Sequence, residues 1–300
     1  METKIPNQYH FVFGLKKQLE PFHLMFYICI ESCLQINKPD RIFFYYHYEP
    51  YGRYWDLVKE KLTLVQVDLS PAVLQKFHFD SRKLRAYSYA QHSDFIRLEK
   101  LYQHGGIYAD LDTIFVHKMP DDLYTKPFVM GHEVDFYDKE TGQTKPSLCN
   151  AFLMSQKGAE FADIWLKEME NAWDSRLLSK HSTLLPYELS RKYPQLVHVL
   201  LQRAFFHHSY TPEGIRTLFE GCDTNFEGIY SLHLWSHLWW SRWRRDFSTF
   251  HAGRLTEEYI RRVDTTYNIL ARPFLPSPGK SWPVQWSFTH RLAAIFEKTP

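Results

Sequence analysis

Residues 101–115 read Leu-Tyr-Gln-His-Gly-Gly-Ile-Tyr-Ala-Asp-Leu-Asp-Thr-Ile-Phe. Gly105-Gly106 is a helix terminator, because glycine reaches the left-handed backbone at a helix C-terminus without a Cβ penalty. The helix it ends lies upstream, over about Ala86 to Gln103, where Phe95, Leu98, Leu101 and Tyr102 recur at helical spacing. Downstream, Ile107 to Phe115 reads as a strand interrupted by Asp110 and Asp112. In an extended strand, residues two apart point the same way, so the two carboxylates share a face; the alternative is that both are surface turn residues. Like charges side by side in a buried-looking strand need compensation. A hard divalent cation supplies it, Mg²⁺ or Mn²⁺, which takes few protein oxygens and shares the rest of its shell with substrate phosphates.

Toward the N-terminus the pattern alternates. Ile5 to Gly14 reads as a strand ending in a glycine turn, and a helix follows over about Pro21 to Ile36, broken by Lys38-Pro39-Asp40. Arg41 to Tyr48 is a β-rich run, Glu49 to Gly52 a turn, Tyr54 to Lys61 a helix and Leu62 to Leu69 a third strand. An order of β-α-β-α-β predicts a parallel sheet with helices on its faces. Ligands of such sheets bind beyond the carboxyl ends of the strands, here near Phe13-Gly14 and His47-Tyr48. Beyond the aspartates, Phe128 to Met130 and Ala151 to Ser155 are further strands, with a polar connection around Lys139 to Lys145. Ala159 to Trp173 is an amphipathic helix, Ser182 to Gln202 mostly helical, and Gly228 to Trp235 a late strand. Two helices, about Glu257 to Leu270 and Trp286 to Glu297, close the chain. There is no internal repeat or low-complexity tract.

Composition narrows the function. A chain of 300 residues buries roughly three quarters of its unfolded surface, and 44% hydrophobic with 23% charged residues argues against disorder. A net charge of +2 gives no footprint for nucleic acid. The cysteines, Cys29, Cys33, Cys149 and Cys222, form no CxxC pair, and Cys29 and Cys33 read as buried thiols in a reducing, cytoplasmic compartment. The best apolar run, Phe22 to Ile36, is short for a membrane span and contains Glu31, so neither a span nor a signal peptide is expected. Residues 232–245, Leu-His-Leu-Trp-Ser-His-Leu-Trp-Trp-Ser-Arg-Trp-Arg-Arg, have three readings: a donor-closing loop, a segment lying on the inner face of a membrane, or core and rim packing.

Asp94 and Arg97 are three apart on the helix before the glycines and share a face. They are either an ordinary ion pair or a sugar-binding pair, Asp94 accepting from hydroxyls and Arg97 donating to sugar or phosphate oxygens. Ser93-Asp94-Phe95-Ile96-Arg97, followed by Gly105-Gly106-Ile107-Tyr108-Ala109-Asp110-Leu111-Asp112, resembles the signature S-D-x-x-R, G-G-x-Y-x-D-x-D of the DxD sugar transferases. That glycosyltransferase family 32-like group includes yeast outer-chain mannosyltransferases and α-1,4-galactosyltransferases and, more distantly, the clostridial glucosylating toxins.

The resemblance implies an α/β fold of GT-A type, a Rossmann-like nucleotide-sugar-binding unit whose mixed central sheet is flanked by helices. It implies a UDP- or GDP-hexose donor, retention of anomeric configuration, and a glycan, lipid-linked sugar or protein acceptor. Carried over by position, Asp94 and Arg97 contact the donor sugar and Tyr108 packs beside the donor. Asp110 binds ribose or sugar and reaches the metal through water, and Asp112 ligates the metal directly. The end of the first strand, Phe13-Gly14, lies by the base, with Phe13 where the family often has tryptophan. Cys149-Asn150-Ala151-Phe152 resembles an Asn-Ala step that puts Asn150 near a sugar. His233-Leu234-Trp235-Ser236-His237-Leu238-Trp239 resembles a C-terminal segment in which His233 completes the metal site and Trp239 covers the diphosphate. Leu238 replaces the family's serine, and His233 read without the resemblance is equally a satisfied core histidine. The likeness spans about residues 5 to 240, which sets the expected division into a transferase domain, 1–245, and a helical extension, 246–300, packed upon it. A DxD phosphohydrolase is the poorer alternative, since those motifs read D-x-D-x-T and position 114 is Ile. An inactive sugar- or nucleotide-binding homologue is countered by the retained Asp94, Arg97, Asp110 and Asp112.

Overall fold

A computed structural model describes residues 4–69, 88–138, 142–169, 171–172, 180–236 and 254–277. The first seventy residues form the expected alternation: β1 (Gln8–Val12), α1 (Leu24–Ser32), β2 (Arg41–Tyr46), α2 (Arg53–Val58) and β3 (Thr63–Gln66). His23 caps α1, its Nδ1 accepting from the Met25 amide. The helix runs into a wide π turn, Cys33–Asn37, and stops at Lys38, whose φ of +46° turns the chain just before Pro39. All of α1 is buried, Glu31 and Cys29 included, and so is Cys33 just beyond it.

The further α-helices and strands among the described residues are α3 (Ser88–His104), β4 (Gly106–Ala109), β5 (Thr113–Phe115), β6 (Phe128–His132), β7 (Phe136–Asp138), β8 (Gln143–Lys145), β9 (Leu148–Ser155), α4 (Glu160–Met169), α5 (Leu185–Lys192), β10 (His198–Leu200), α6 (Arg203–Phe206), α7 (Pro212–Phe219), β11 (Ser231–His233), α8 (Glu257–Arg262) and α9 (Thr266–Ala271). Seven strands make one mixed sheet in the order β10-β6-β9-β4-β1-β2-β3. β1 is parallel to both β2 and β4, while β9 runs antiparallel to β4 and β6. Side chains alternate across it: Tyr9, Phe11, Ile107, Ala109, Phe152 and Met154 meet α1 on one face, and Val12, Tyr108, Leu153 and Met130 meet α3 and α4 on the other. This is the α/β architecture with a mixed, helix-flanked sheet that the sequence implies. From β1 the order proceeds one way to β2 and β3 and the other way to β4. The carboxyl ends of β1 and β4 therefore border the crevice at a topological switch point.

Four readings of the sequence are corrected. Ile107 to Phe115 is two strands in different sheets: β4 stops at Ala109, the Thr113 amide closes a turn on the Asp110 carbonyl at 3.0 Å, and β5 pairs antiparallel with β11. Aspartate suits turns, where its short polar chain bonds nearby backbone, better than a ladder position. Ser182 to Gln202 is helical only through Lys192. Tyr193 precedes Pro194 and leaves the helical region, and His198–Leu200 becomes an edge strand on β6. Glu257 to Leu270 is two short helices, each started by a threonine cap, Thr256 and Thr265. The polar connection around Lys139 to Lys145 ends in the β7–β8 ribbon. The expected helix over Trp286 to Glu297 lies outside the described residues.

Tail and body are tied together. Glu257 accepts from Tyr54 Oη at 3.1 Å and pairs with Arg53 at 2.9 Å, and the Thr266 amide donates to the Gly221 carbonyl at 2.9 Å. Among the described residues no helix is long and apolar enough to cross a membrane.

Entry into β4 depends on glycine. Gly106 has φ +110°, and a Cβ there would lie 2.5 Å from the Gln8 carbonyl oxygen and 2.9 Å from His10 Nε2. His10 cannot move aside easily, being buried between Tyr45 Oη and the Gly105 carbonyl. Gly106→Ala is expected to cost at least about 2 kcal/mol, read as a lower urea midpoint with unchanged slope.

Candidate active site

The site is built on the last residue of β4 and the turn beyond it. The Asp110 amide donates to the Ala151 carbonyl at 2.8 Å, one rung past the ladder. Its carboxylate accepts from Tyr108 Oη at 2.5 Å and meets Arg97 Nη1 at 3.2 Å. Arg97 comes from α3 and is buried. It donates to the Asn150 carbonyl at 2.8 Å and to Ser93 Oγ at 3.2 Å, pairs with Asp94 Oδ1 at 3.2 Å, and its guanidinium carbon lies 4.5 Å from the Tyr108 ring centroid. Burial alone would push its pKa down, but Asp110, Tyr108 and Asp94 outweigh burial and raise it.

Asp94 is the next link. It accepts from Asn150 Nδ2 at 2.8 Å and lies 2.9 Å from His181 Nε2. Burial raises its pKa, whereas Arg97, His181 and Asn150 together draw it below the ordinary carboxylate value. Asp94, Arg97, Tyr108, Asp110 and Asn150 thus form one continuous polar network.

Asp112 belongs to the second sheet. Its Oδ1 lies 3.0 Å from His233 Nε2, its Oδ2 accepts the Ser236 amide at 2.7 Å, and its carbonyl accepts the Leu234 amide at 2.9 Å. His233 stands opposite Thr113 across the β5–β11 pair and 3.7 Å from Asp110 Oδ2. Burial pushes the His233 pKa down, but Asp112 and Asp110 overcome this and raise it. One ligand atom from each of Asp110, Asp112 and His233 lies within 4.8 Å of the others. Two carboxylates and an imidazole fit a divalent cation, the nitrogen inclining the set toward Mn²⁺ over Mg²⁺.

Trp235, just past His233, has φ +55°, a region bulky residues avoid. Packing and a hydrogen bond hold it there: its ring lies 4.2 Å from His233 centroid to centroid, and its Nε1 donates to the His208 carbonyl at 2.8 Å. The kink precedes the Ser236 amide that reaches Asp112. A cleft of about 320 Å³ opens here, lined by Asp110, Asn150, Ala151, His233 and Trp235, with Glu133, Phe136, Cys149, Thr183 and Tyr210 on its other walls.

Seven of the residues singled out from the sequence therefore meet: Asp94, Arg97, Tyr108, Asp110, Asp112, Asn150 and His233. Gly14, two residues past β1, has φ +74°, and its carbonyl accepts the Tyr48 amide at 2.8 Å. The Phe13 ring packs with Phe22 and Phe26, centroids 5.6 and 5.1 Å away, and is not among the cleft walls. Trp239 and the rest of the Trp/Arg-rich stretch from His237 onward lie outside the described residues. Sequence reasoning missed His181, Glu133 and Tyr210. His181 is 87 positions from Asp94, and no local pattern links them. Glu133, whose pKa burial raises, accepts from Ser147 Oγ at 3.0 Å; neither its spacing nor its neighbours in the chain mark it.

Asp94→Asn should cost about 3 kcal/mol at neutral pH, because it strips a buried cation of a partner. The folded-state pKa of Asp94 lies below its ordinary 3.8. Its contribution is therefore complete above that value and is lost as pH falls through the folded-state pKa. Urea unfolding at about pH 7 and about pH 3 should show the gap between wild type and Asp94→Asn narrowing at the lower pH.

Residues 28–129, which include Asp94, Arg97, Asp110 and Asp112, match the family described as glycosyltransferase sugar-binding region containing DXD motif. Over 293 residues, 95% of this chain and 75% of the relative, the sequence is 30% identical to glucan organizing enzyme 1 of Cryptococcus neoformans var. grubii serotype A. Among solved structures, the chain is similar to PaToxG glycosyltransferase, with a TM-score of 0.46 and 16% identity over 64% of this chain and 71% of that one. Another similar structure is 4-diphosphocytidyl-2C-methyl-D-erythritol synthase of Anaerococcus prevotii, with a TM-score of 0.34 and 11% identity over 65% and 86% of the two chains. With kinship to the fungal enzyme extending over nearly its whole length, the chain belongs to the family of DXD-motif glycosyltransferases.

Proposed function

We propose that this glycosyltransferase moves a hexosyl group from a UDP- or GDP-sugar to a glycan or lipid-linked acceptor, with retention and with a divalent cation. The convergence of Asp110, Asp112 and His233 within 4.8 Å at the carboxyl end of β4 carries the proposal. Those three residues would hold Mn²⁺ or Mg²⁺, and the ion, when bound, acts as a Lewis acid that neutralises charge on the departing diphosphate.

The chain's own groups position the rest. Among the described residues Asp94 has three partners, Arg97, Asn150 and His181. A carboxylate offers about four acceptor sites, so one remains for a sugar hydroxyl. Arg97 spends its donors on Asp94, Asp110, Ser93 and the Asn150 carbonyl, and so holds both carboxylates in register with the sugar. In the transfer, the bond from the anomeric carbon to the phosphate oxygen breaks as the acceptor oxygen bonds to that carbon on the same face. The acceptor proton passes to the leaving phosphate oxygen. The transition state is oxocarbenium-like; the carboxylates of the network are committed to binding, and Glu133 on the cleft wall is held by Ser147. Catalysis then rests on positioning and on electrostatic stabilisation of the leaving group.

A glycan acceptor is favoured by the similarity to a protein named for organizing glucan. A cytoplasmic setting, peripheral on a membrane, belongs to the same proposal and draws on the reduced thiols and the Trp/Arg-rich segment.

With Mn²⁺, a panel of UDP- and GDP-hexoses should contain a donor from which the chain releases nucleoside diphosphate, and a chelator should stop that release. Asp112→Asn should lower the rate at least roughly a hundredfold while leaving the circular-dichroism spectrum unchanged. Full activity in that variant would remove the metal role. The donor's base is read by thermal shift, since a ligand at about a hundred times its Kd stabilises the folded state by about 2.7 kcal/mol.

A further inference from the structure

The loop that anchors Trp235 also carries a second cluster of ligand-type side chains, distinct from the Asp110, Asp112 and His233 group. His207 and His208 follow α6, and Asp223 follows α7. His207 Nε2 is 3.4 Å and His208 Nε2 3.6 Å from one oxygen, Asp223 Oδ2, and a ligand atom from each of the three lies within 4.8 Å of the others. These separations exceed those of good N–H···O hydrogen bonds, which centre near 2.9–3.0 Å. They are close to the edge of a zinc tetrahedron, in which ligands about 2.05 Å from the ion stand about 3.3 Å apart.

His208 supplies an independent observation. Its Nε2 is buried and has no hydrogen-bond partner among the described residues, on a side chain only 7% exposed. A buried imidazole nitrogen without a partner is costly unless something fills the position.

Asp223 is already fixed: its Oδ1 accepts the Asn225 amide at 2.9 Å, and its own amide donates to Thr266 Oγ1 at 2.8 Å. His207 and Asp223 are both partly exposed, which leaves a route from solvent and room for a water ligand. Arg203 is the opposing charge, with Nη1 3.3 and 3.2 Å from the two nitrogens of His207. Its other donors are held by the Glu227 and Asn225 carbonyls, so it weakens a cation there without being free to replace one.

We propose that His207, His208 and Asp223 form a binding site for a divalent transition-metal ion, with zinc the best match to their spacing. A bound ion pins the segment after α6 to the segment after α7. Because the His208 carbonyl holds the Trp235 indole at 2.8 Å, the ion also steadies one wall of the cleft.

The test uses the full chain, stripped of metal and carrying Asp112→Asn to disable the other cluster of this kind among the described residues. Titration with Zn²⁺, followed by equilibrium dialysis and by melting temperature, should show one bound equivalent and a raised melting temperature. Adding Asp223→Asn or His207→Gln should weaken Zn²⁺ binding more than about a hundredfold, beyond the loss of a mere outer-shell partner, with an unchanged circular-dichroism spectrum. His207→Gln, at a partly exposed side chain, reads the site even where Asp223→Asn does not fold. Equal Zn²⁺ affinity with and without His207→Gln, or no Zn²⁺ binding by the Asp112→Asn chain, overturns the proposal.

Discussion

A guanidinium taken out of water must find its charge and its donors matched inside the protein, and for Arg97 the matches come from three parts of the fold. Asp94 lies on its own helix, Asp110 at the end of β4, and the Asn150 carbonyl on β9. Desolvating an ion costs several kcal/mol unless the geometry of its partners is right, so the charge demands that α3, β4 and β9 meet in one register. Asn150 bonds on both sides, its carbonyl to Arg97 and its amide to Asp94. Asp94 carries the demand on to His181, just ahead of α5. A site built this way is held by strands and helices more than by loops, which is what precise positioning of a sugar requires.

Asp112 is anchored by different means. Its partners among the described residues include His233 and two backbone amides from the segment after β11, so its place depends on β5 pairing with β11 and on the left-handed turn at Trp235. The turn costs backbone energy, offset by burial of the indole against Phe206, Tyr210 and His233. Of the two carboxylates, Asp110 is braced by the main sheet and Asp112 by the small one.

Much of this was legible in the residues because it is local or periodic. Asp94 and Arg97 share a helix face at a spacing of three, Gly105-Gly106 must end that helix, and the opening β-α-β-α-β places the crevice at the switch point. His233 and Asn150 were found through resemblance; their own surroundings in the chain would not have marked them. Where the reading failed, a non-local contact decided. His198 to Leu200 looks like the end of a helical run until an edge of β6 becomes available to it. His181 and Glu133 reach the site by folding across long stretches of chain, and no spacing rule connects them to the aspartates.

The reading of Asp110 and Asp112 as neighbours on one strand face shows what pattern alone gets wrong. On a continuing strand, both would sit within the ladder with sheet neighbours on either side, and a substrate would have to enter the sheet to reach them. In the turn they lie past the carboxyl end of β4, where the crevice is open, and they approach each other from two sheets. Tyr108 and Arg97 hold Asp110 from the sheet side, while His233 and the Ser236 amide hold Asp112 from the opposite side. The space between the carboxylates is therefore set by how the β5–β11 pair docks on the main sheet. Substitutions that loosen that docking act on the distance between the aspartates without touching either one.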